Sequence, residues 1–130
     1  MTALTVSERI LVDSSGWLEY LTADTKRALF EPYLLDKKRI LIVPTIVMYE
    51  VRKVLLVQQH KTAADWFTSE AMRHTVIPLD ETIASSAATN SVQMKIPMAD
   101  AIIYTTSLVE NARIITSDTH FNNIPNALVL

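Results

Sequence analysis

Short, unbroken apolar runs alternate along this chain with longer stretches whose apolar residues recur every three or four positions. The runs fall at residues 10–12, 40–43, 76–79, 114–116 and 127–129. Runs this short, bounded by polar residues, predict strands, and the continuous apolar character of the first four fits burial on both faces. Helical spacing fills the intervals. It predicts helices over residues 14–22 and 24–36, the second capped by Asp24, and a long helix from Pro44 to about His60. A further helix runs from Thr62 to about Arg73. Another is opened by Asp80-Glu81-Thr82 and fades near Lys95, and the last starts behind Pro97 and runs to about Asn111. A helical turn follows Asp118. Strand alternating with helix implies right-handed crossovers, and hence an α/β domain with a parallel sheet of about five strands and helices on both faces. With no internal repeat, linker or low-complexity stretch, residues 1–130 read as a single domain.

Four acids stand out against this pattern. Asp13 follows the first apolar run, and Asp118 follows Ile114-Ile115-Thr116-Ser117. Both therefore belong at the carboxyl ends of buried strands, where open α/β sheets bind ligands beside the point at which strand order reverses. Glu50 and Asp100 interrupt helical apolar stripes. Val47, Glu50, Val54 and Val57 share one helical face, as do Ile96, Asp100, Ile103 and Ser107. A buried carboxylate must be paired, metal-bound or protonated. Four of them with no basic partner at hand point to a divalent cation.

Each acid also has a plainer explanation. Asp13-Ser14-Ser15 and Asp118-Thr119 are good helix caps, and Asp100 lies in a first turn, where an acid suits the helix dipole. Glu50 could reach solvent from the edge of its stripe; Arg52 and Lys53 lie off its face and pair with it awkwardly. What favours a site is convergence of all four at one end of one sheet.

Composition narrows the chemistry. The single glycine, Gly16, excludes Gly-rich phosphate loops and dinucleotide fingerprints, and the lack of cysteine removes disulfides, zinc ribbons and thiol catalysis. No apolar run approaches the roughly 20 residues of a membrane span, and the N-terminus lacks a signal-peptide profile, so a cytoplasmic location is expected, with no membrane partner. The net charge of −2 neither supports nor disqualifies nucleic-acid binding: of 14 acids the four above leave ten, against 12 Lys and Arg. Lys37-Lys38-Arg39 reads as a solvated helix end. His60, His74 and His120 show no metal-ligand spacing and read as surface histidines, with His120 alone worth testing because of its position beside Asp118. Trp17, Tyr20, Trp66 and Phe67 read as packing residues, and Phe121 as the anchor of the turn after Asp118.

Val12-Asp13-Ser14-Ser15, a helical glutamate at position 50, Pro97-Met98-Ala99-Asp100-Ala101-Ile102-Ile103 and Thr116-Ser117-Asp118-Thr119-His120-Phe121 together resemble the PIN-domain ribonucleases. The small single-domain form resembles the VapC-type toxins of prokaryotic toxin–antitoxin pairs, over essentially the whole chain. The resemblance implies a parallel α/β fold and an acidic quartet at Asp13, Glu50, Asp100 and Asp118. It implies metal-dependent hydrolysis of RNA, a homodimer and neutralisation by a small antitoxin. Oxygen ligands select hard cations such as Mg²⁺ or Mn²⁺. In this scheme Asp13 and Asp100 bind metal directly, Asp118 completes or bridges the site, and Glu50 acts through water. Ser14 and Thr116 are candidate supports for the carboxylates. Where some members carry another acid two residues past the fourth, this chain has His120. Two competing classes are a non-catalytic RNA- or protein-binding module on the same fold and a phosphoaspartate receiver. The receiver lacks its adjacent acids after the first strand and its lysine after the last.

Overall fold

A computed structural model describes residues 8–22 and 25–130. Its sheet has five parallel strands in the order β3-β2-β1-β4-β5. The central strand β1 (Arg9–Val12) pairs with β2 (Ile40–Pro44) on one side and β4 (Arg113–Thr116) on the other. Strands β3 (Thr75–Ile77) and β5 (Ala127–Val129) form the edges. The inner strands are apolar because both of their faces are covered: Ile10, Leu11, Ile42, Val43, Ile114 and Ile115 are all fully buried. Strand β3 departs from the expected burial. As an edge it keeps Thr75 exposed and Val76 and Ile77 only partly covered.

Among the described residues six helices connect the strands: α1 (Ser14–Leu21), α2 (Arg27–Leu35), α3 (Thr45–Val57), α4 (Lys61–Ala71), α5 (Glu81–Met94) and α6 (Met98–Val109). Moving outward from β1 through β2 to β3 and then back across to β4 reverses the direction of winding. Right-handed crossovers then place α1 to α4 on one face and α5 and α6 on the other. The reversal falls between β1 and β4, which makes the crevice beyond their carboxyl ends the topological switch point.

Several boundaries differ from the expected ones. Helix α2 begins at Arg27, behind a Lys26 that provides no side-chain cap, and runs through Pro32; the expected cap Asp24 lies outside the described residues. Helix α3 stops at Val57 rather than near His60, and Pro44 closes β2 instead of entering the helix. Helix ends explain part of this. With one glycine in the chain, Gln59, Lys95 and Asn111 take the left-handed conformation that glycine usually supplies past a helix. In each case the next amide bonds back five residues, His60 to Leu55, Ile96 to Ser91 and Ala112 to Ser107, and this closes the last turn.

The glycine itself is spent elsewhere. A Cβ on Gly16 would lie 2.6 Å from Val12 Cγ1 and 2.7 Å from Phe30 Cε1. Helix α1 can lie this close to β1 and α2 only because that atom is missing. Trp17, Phe67 and Phe121 are buried as expected, Trp17 meeting Phe67 edge-on at 5.1 Å between ring centroids. Trp66 is half exposed, whereas Tyr20 is partly buried against the core, with the Arg27 guanidinium over its ring.

Candidate metal centre

The carboxyl ends of β1 and β4 are joined by a net of hydroxyl groups. Asp13, the residue after β1, is 3% exposed. It caps α1: its Oδ1 accepts the Gly16 amide at 3.1 Å and the Ser15 hydroxyl at 2.7 Å. Its Oδ2 accepts the Thr116 hydroxyl at 2.7 Å. The Thr116 oxygen in turn accepts the Asp118 amide at 2.9 Å, and Ser15 Oγ accepts the Ser117 amide at 3.1 Å. Asp118 caps the 3₁₀ turn Thr119–Phe121 by accepting the His120 amide at 2.8 Å. So capping and convergence are not alternatives here. The caps are what aim both acids into the switch-point crevice.

Glu50 reaches the same crevice from α3, although not for the reason its spacing gave. The buried stripe of α3 is Val47, Val51 and Leu55, whereas Val57 is 74% exposed. Glu50 therefore sits at the edge of the stripe, only partly covered. What fixes it is Ser14, which donates its hydroxyl to Glu50 Oε1 at 2.7 Å from the first turn of α1. Arg52 turns away to bond Thr68 and Asp65 on α4, and the Lys53 ammonium lies over Tyr49. Asp100 enters from the first turn of α6, with 15% of its side chain exposed.

All four acids of the sequence pattern thus meet at one place, and the electrostatics record their crowding. Burial pushes the Asp13 carboxyl up to about 6, against the downward pull of its three hydrogen bonds, and the Asp118 charge adds to the rise. Asp100 is also raised, first by burial and then by Asp118 and Glu50. Asp13 has only neutral donors as partners. Among the described residues no lysine or arginine forms an ion pair with any of the four. His120 is the basic group that approaches them, with Nδ1 3.3 Å from Asp118 and 3.5 Å from Asp100. An oxygen-lined, anionic, partly desolvated crevice of this kind suits a hard divalent cation, which would offset the burial, and with it the smaller like-charge repulsion, that lifts Asp13 and Asp100.

Sequence reasoning passed over two residues that build the site. Ser15 holds both Asp13 and the backbone after β4, and Gly16 sets how closely α1 approaches β1. The signal was the run Asp13-Ser14-Ser15-Gly16: three side chains able to bond nearby backbone, followed by the only glycine of the chain, inside a helix where it is otherwise unfavourable.

Comparison with known proteins agrees with the fold. The family model described as the PIN domain matches residues 10–127. No curated protein sequence matches the chain. Among solved structures, a toxin–antitoxin complex from Klebsiella pneumoniae contains a chain that superposes with a TM-score of 0.75 at 21% identity, covering 92% of this chain and 96% of that one. VapBC2 from Rickettsia felis, bound to a DNA fragment from its promoter, gives 0.71 at 18% identity, covering 94% and 97%. VapC20 from Mycobacterium tuberculosis, described as a sarcin–ricin loop cleaving toxin, gives 0.73 at 15% identity, covering 90% and 95%. At these identities the likeness is one of fold.

Proposed function

Since the chain belongs to the PIN-domain family, with the family match spanning residues 10–127, we propose that it is a divalent-metal-dependent ribonuclease and the toxin of a toxin–antitoxin pair. The observation that carries this reading is the crevice between β1 and β4. There a buried Asp13, held only by neutral donors, meets Glu50, Asp100 and Asp118. In this reading Asp13 and Asp100 hold Mg²⁺ or Mn²⁺ directly, Asp118 completes the site and Glu50 acts through a water. Such an ion lowers the pKa of bound water and offsets charge on a phosphodiester. The protein supplies the positioning. Thr116 and Ser15 fix the Asp13 carboxylate, and Ser14 fixes Glu50 where it can orient a water or accept its proton.

The toxin role draws support from the fold of the VapBC neighbours. A groove rich in carboxylates would attract an arginine of a small antitoxin, which could pair with them bidentately. A homodimer is expected as well. The apolar groove between α5 and α6, lined by Leu79, Ala87, Met98 and Ile102, offers surface for a second copy to cover. No helix among the described residues is long and apolar enough to cross a membrane. Action on RNA in the cytoplasm is part of this proposal.

The test is cleavage of RNA by purified protein with Mg²⁺ or Mn²⁺, with EDTA, and with the Asp100→Asn variant alongside. Cleavage that needs metal and disappears in the variant is expected. Undiminished cleavage in chelator would remove the metal hypothesis. A folded protein that binds RNA or protein but never cuts would be a binding module. For the toxin role, expression should arrest growth, and co-expression of a small neighbouring gene product should relieve it.

A further inference from the structure

His120 follows the fourth acid of the site by two positions, and its ring is turned back toward the carboxylates. Its side chain is 65% exposed, so packing does not dictate this orientation. Nδ1 stands 3.3 Å from Asp118 Oδ1 and 3.5 Å from Asp100 Oδ2. Both distances exceed the 2.7–2.9 Å of a charge-assisted hydrogen bond. His120 also acts on Asp100 directly, drawing its carboxyl down, and the same spacing is close to that of adjacent donors around a shared ion: at metal–ligand distances near 2.1 Å, neighbouring octahedral ligands are about 3 Å apart. One donor atom from each of Asp100, Asp118 and His120 can be chosen so that all lie within 4.8 Å of one another. The backbone also holds the ring in place. The His120 amide bonds to Asp118, and Phe121 anchors the turn in the core.

We propose that His120 is a nitrogen ligand of the metal centre beside Asp100 and Asp118, and that it biases the site toward Mn²⁺ over Mg²⁺. This rests on the metal-dependent reading above and specifies which ion that site selects. Mg²⁺ binds oxygen and gives up water reluctantly, whereas imidazole suits first-row transition ions. A site of carboxylates alone would discriminate weakly between the two. One imidazole shifts the balance without altering the sheet or its acids.

The experiment is Mn²⁺ binding to untagged full-length protein, followed by electron paramagnetic resonance. Electron spin-echo modulation detects ¹⁴N bound directly to the ion. Wild type and His60→Gln should both show nitrogen coupling, and His120→Gln should lose it. The His120→Gln affinity for Mn²⁺ should fall about tenfold or more, on the scale by which altered surroundings of a ligand weaken a site. Its affinity for Mg²⁺, read by competition, should change little. Circular dichroism checks that the variant is folded, which the exposure of the ring favours. Mn²⁺ bound with Asp100-dependent affinity but without nitrogen coupling would overturn the role of His120 and leave the acidic site standing. Coupling that persists in His120→Gln would do the same. If wild type binds neither ion, this inference and the metal-dependent reading fall together.

Discussion

Thr116 donates its hydroxyl to Asp13 Oδ2 at 2.7 Å, although the two residues stand 103 apart in sequence. The same Thr116 oxygen accepts the Asp118 amide. One buried hydroxyl thus orients the acid after β1 and the turn that carries the acid after β4. Two strands that are neighbours only because the chain reverses its winding are tied together at the point where the chemistry is proposed to occur.

Removing that hydroxyl should be felt in metal binding as well as in stability. Thr116→Val leaves Asp13 short of one donor and the Asp118 amide without its acceptor. A stranded buried group costs about 1–3 kcal/mol, and loss of a ligand's support weakens metal affinity by roughly 10–100-fold. Thr116→Ser should restore most of both. Urea unfolding and Mn²⁺ titration would measure them, and unchanged affinity in the valine variant would deny Thr116 any part in positioning Asp13.

Asp13→Asn and Asp100→Asn should each abolish RNA cleavage while preserving the fold. In chelator neither variant should melt below wild type near pH 7.5, because each removes a charge from a crowd of like charges. Asparagine also keeps the capping acceptor at position 13. A marked drop in melting temperature would assign these acids a structural role instead.

Stability should depend on pH in an unusual direction for a carboxylate. Asp13 has a folded-state value of about 6, raised from 3.8, so between these values the folded state holds more proton than the unfolded state. Stability from this group is therefore greatest below about pH 4 and is lost as pH rises through about 6. The shift corresponds to something on the order of 2–3 kcal/mol. Metal-free wild type should lose stability over this window relative to Asp13→Asn, as read by urea midpoints at a series of pH values. Parallel profiles would contradict the assignment.

Gly16→Ala should destabilise the protein even though alanine is the better helix former by about 1 kcal/mol. The added Cβ meets Val12 and Phe30 at 2.6–2.7 Å, and overpacking of this kind costs about 1–3 kcal/mol. Because α1 also carries Ser14, pushing it outward should loosen Glu50 and lower cleavage activity. A rise in the urea midpoint would mean that Phe30 can move aside freely.

The order of elements was readable because each strand is a brief apolar run and each helix a periodic one. Strand β5 coincides with its predicted residues, and β1 and β4 differ by one residue. The candidate acids were readable through their places at strand ends and in helices. Glu50 shows the limit. Its spacing put it on the face with Val54 and Val57, yet the buried face of α3 is Val47, Val51 and Leu55. Periodicity identifies that a helix has a stripe, but two adjacent apolar stripes on one helix look alike until a neighbour covers one of them.

By itself, then, the sequence determined the local outcomes: which segments are strands and helices, which of its acids are able to cap, as Asp13 and Asp118 do, and which acids interrupt the pattern. Those depend on contacts between residues a few positions apart. Tertiary structure alone decided that Thr116 would meet Asp13, that Ser14 would hold Glu50, that His120 would turn toward Asp100, and that Gly16 was needed for space. These relationships join parts of the chain that are brought together by packing of the whole sheet and its helices. Short-range spacing carries no record of them.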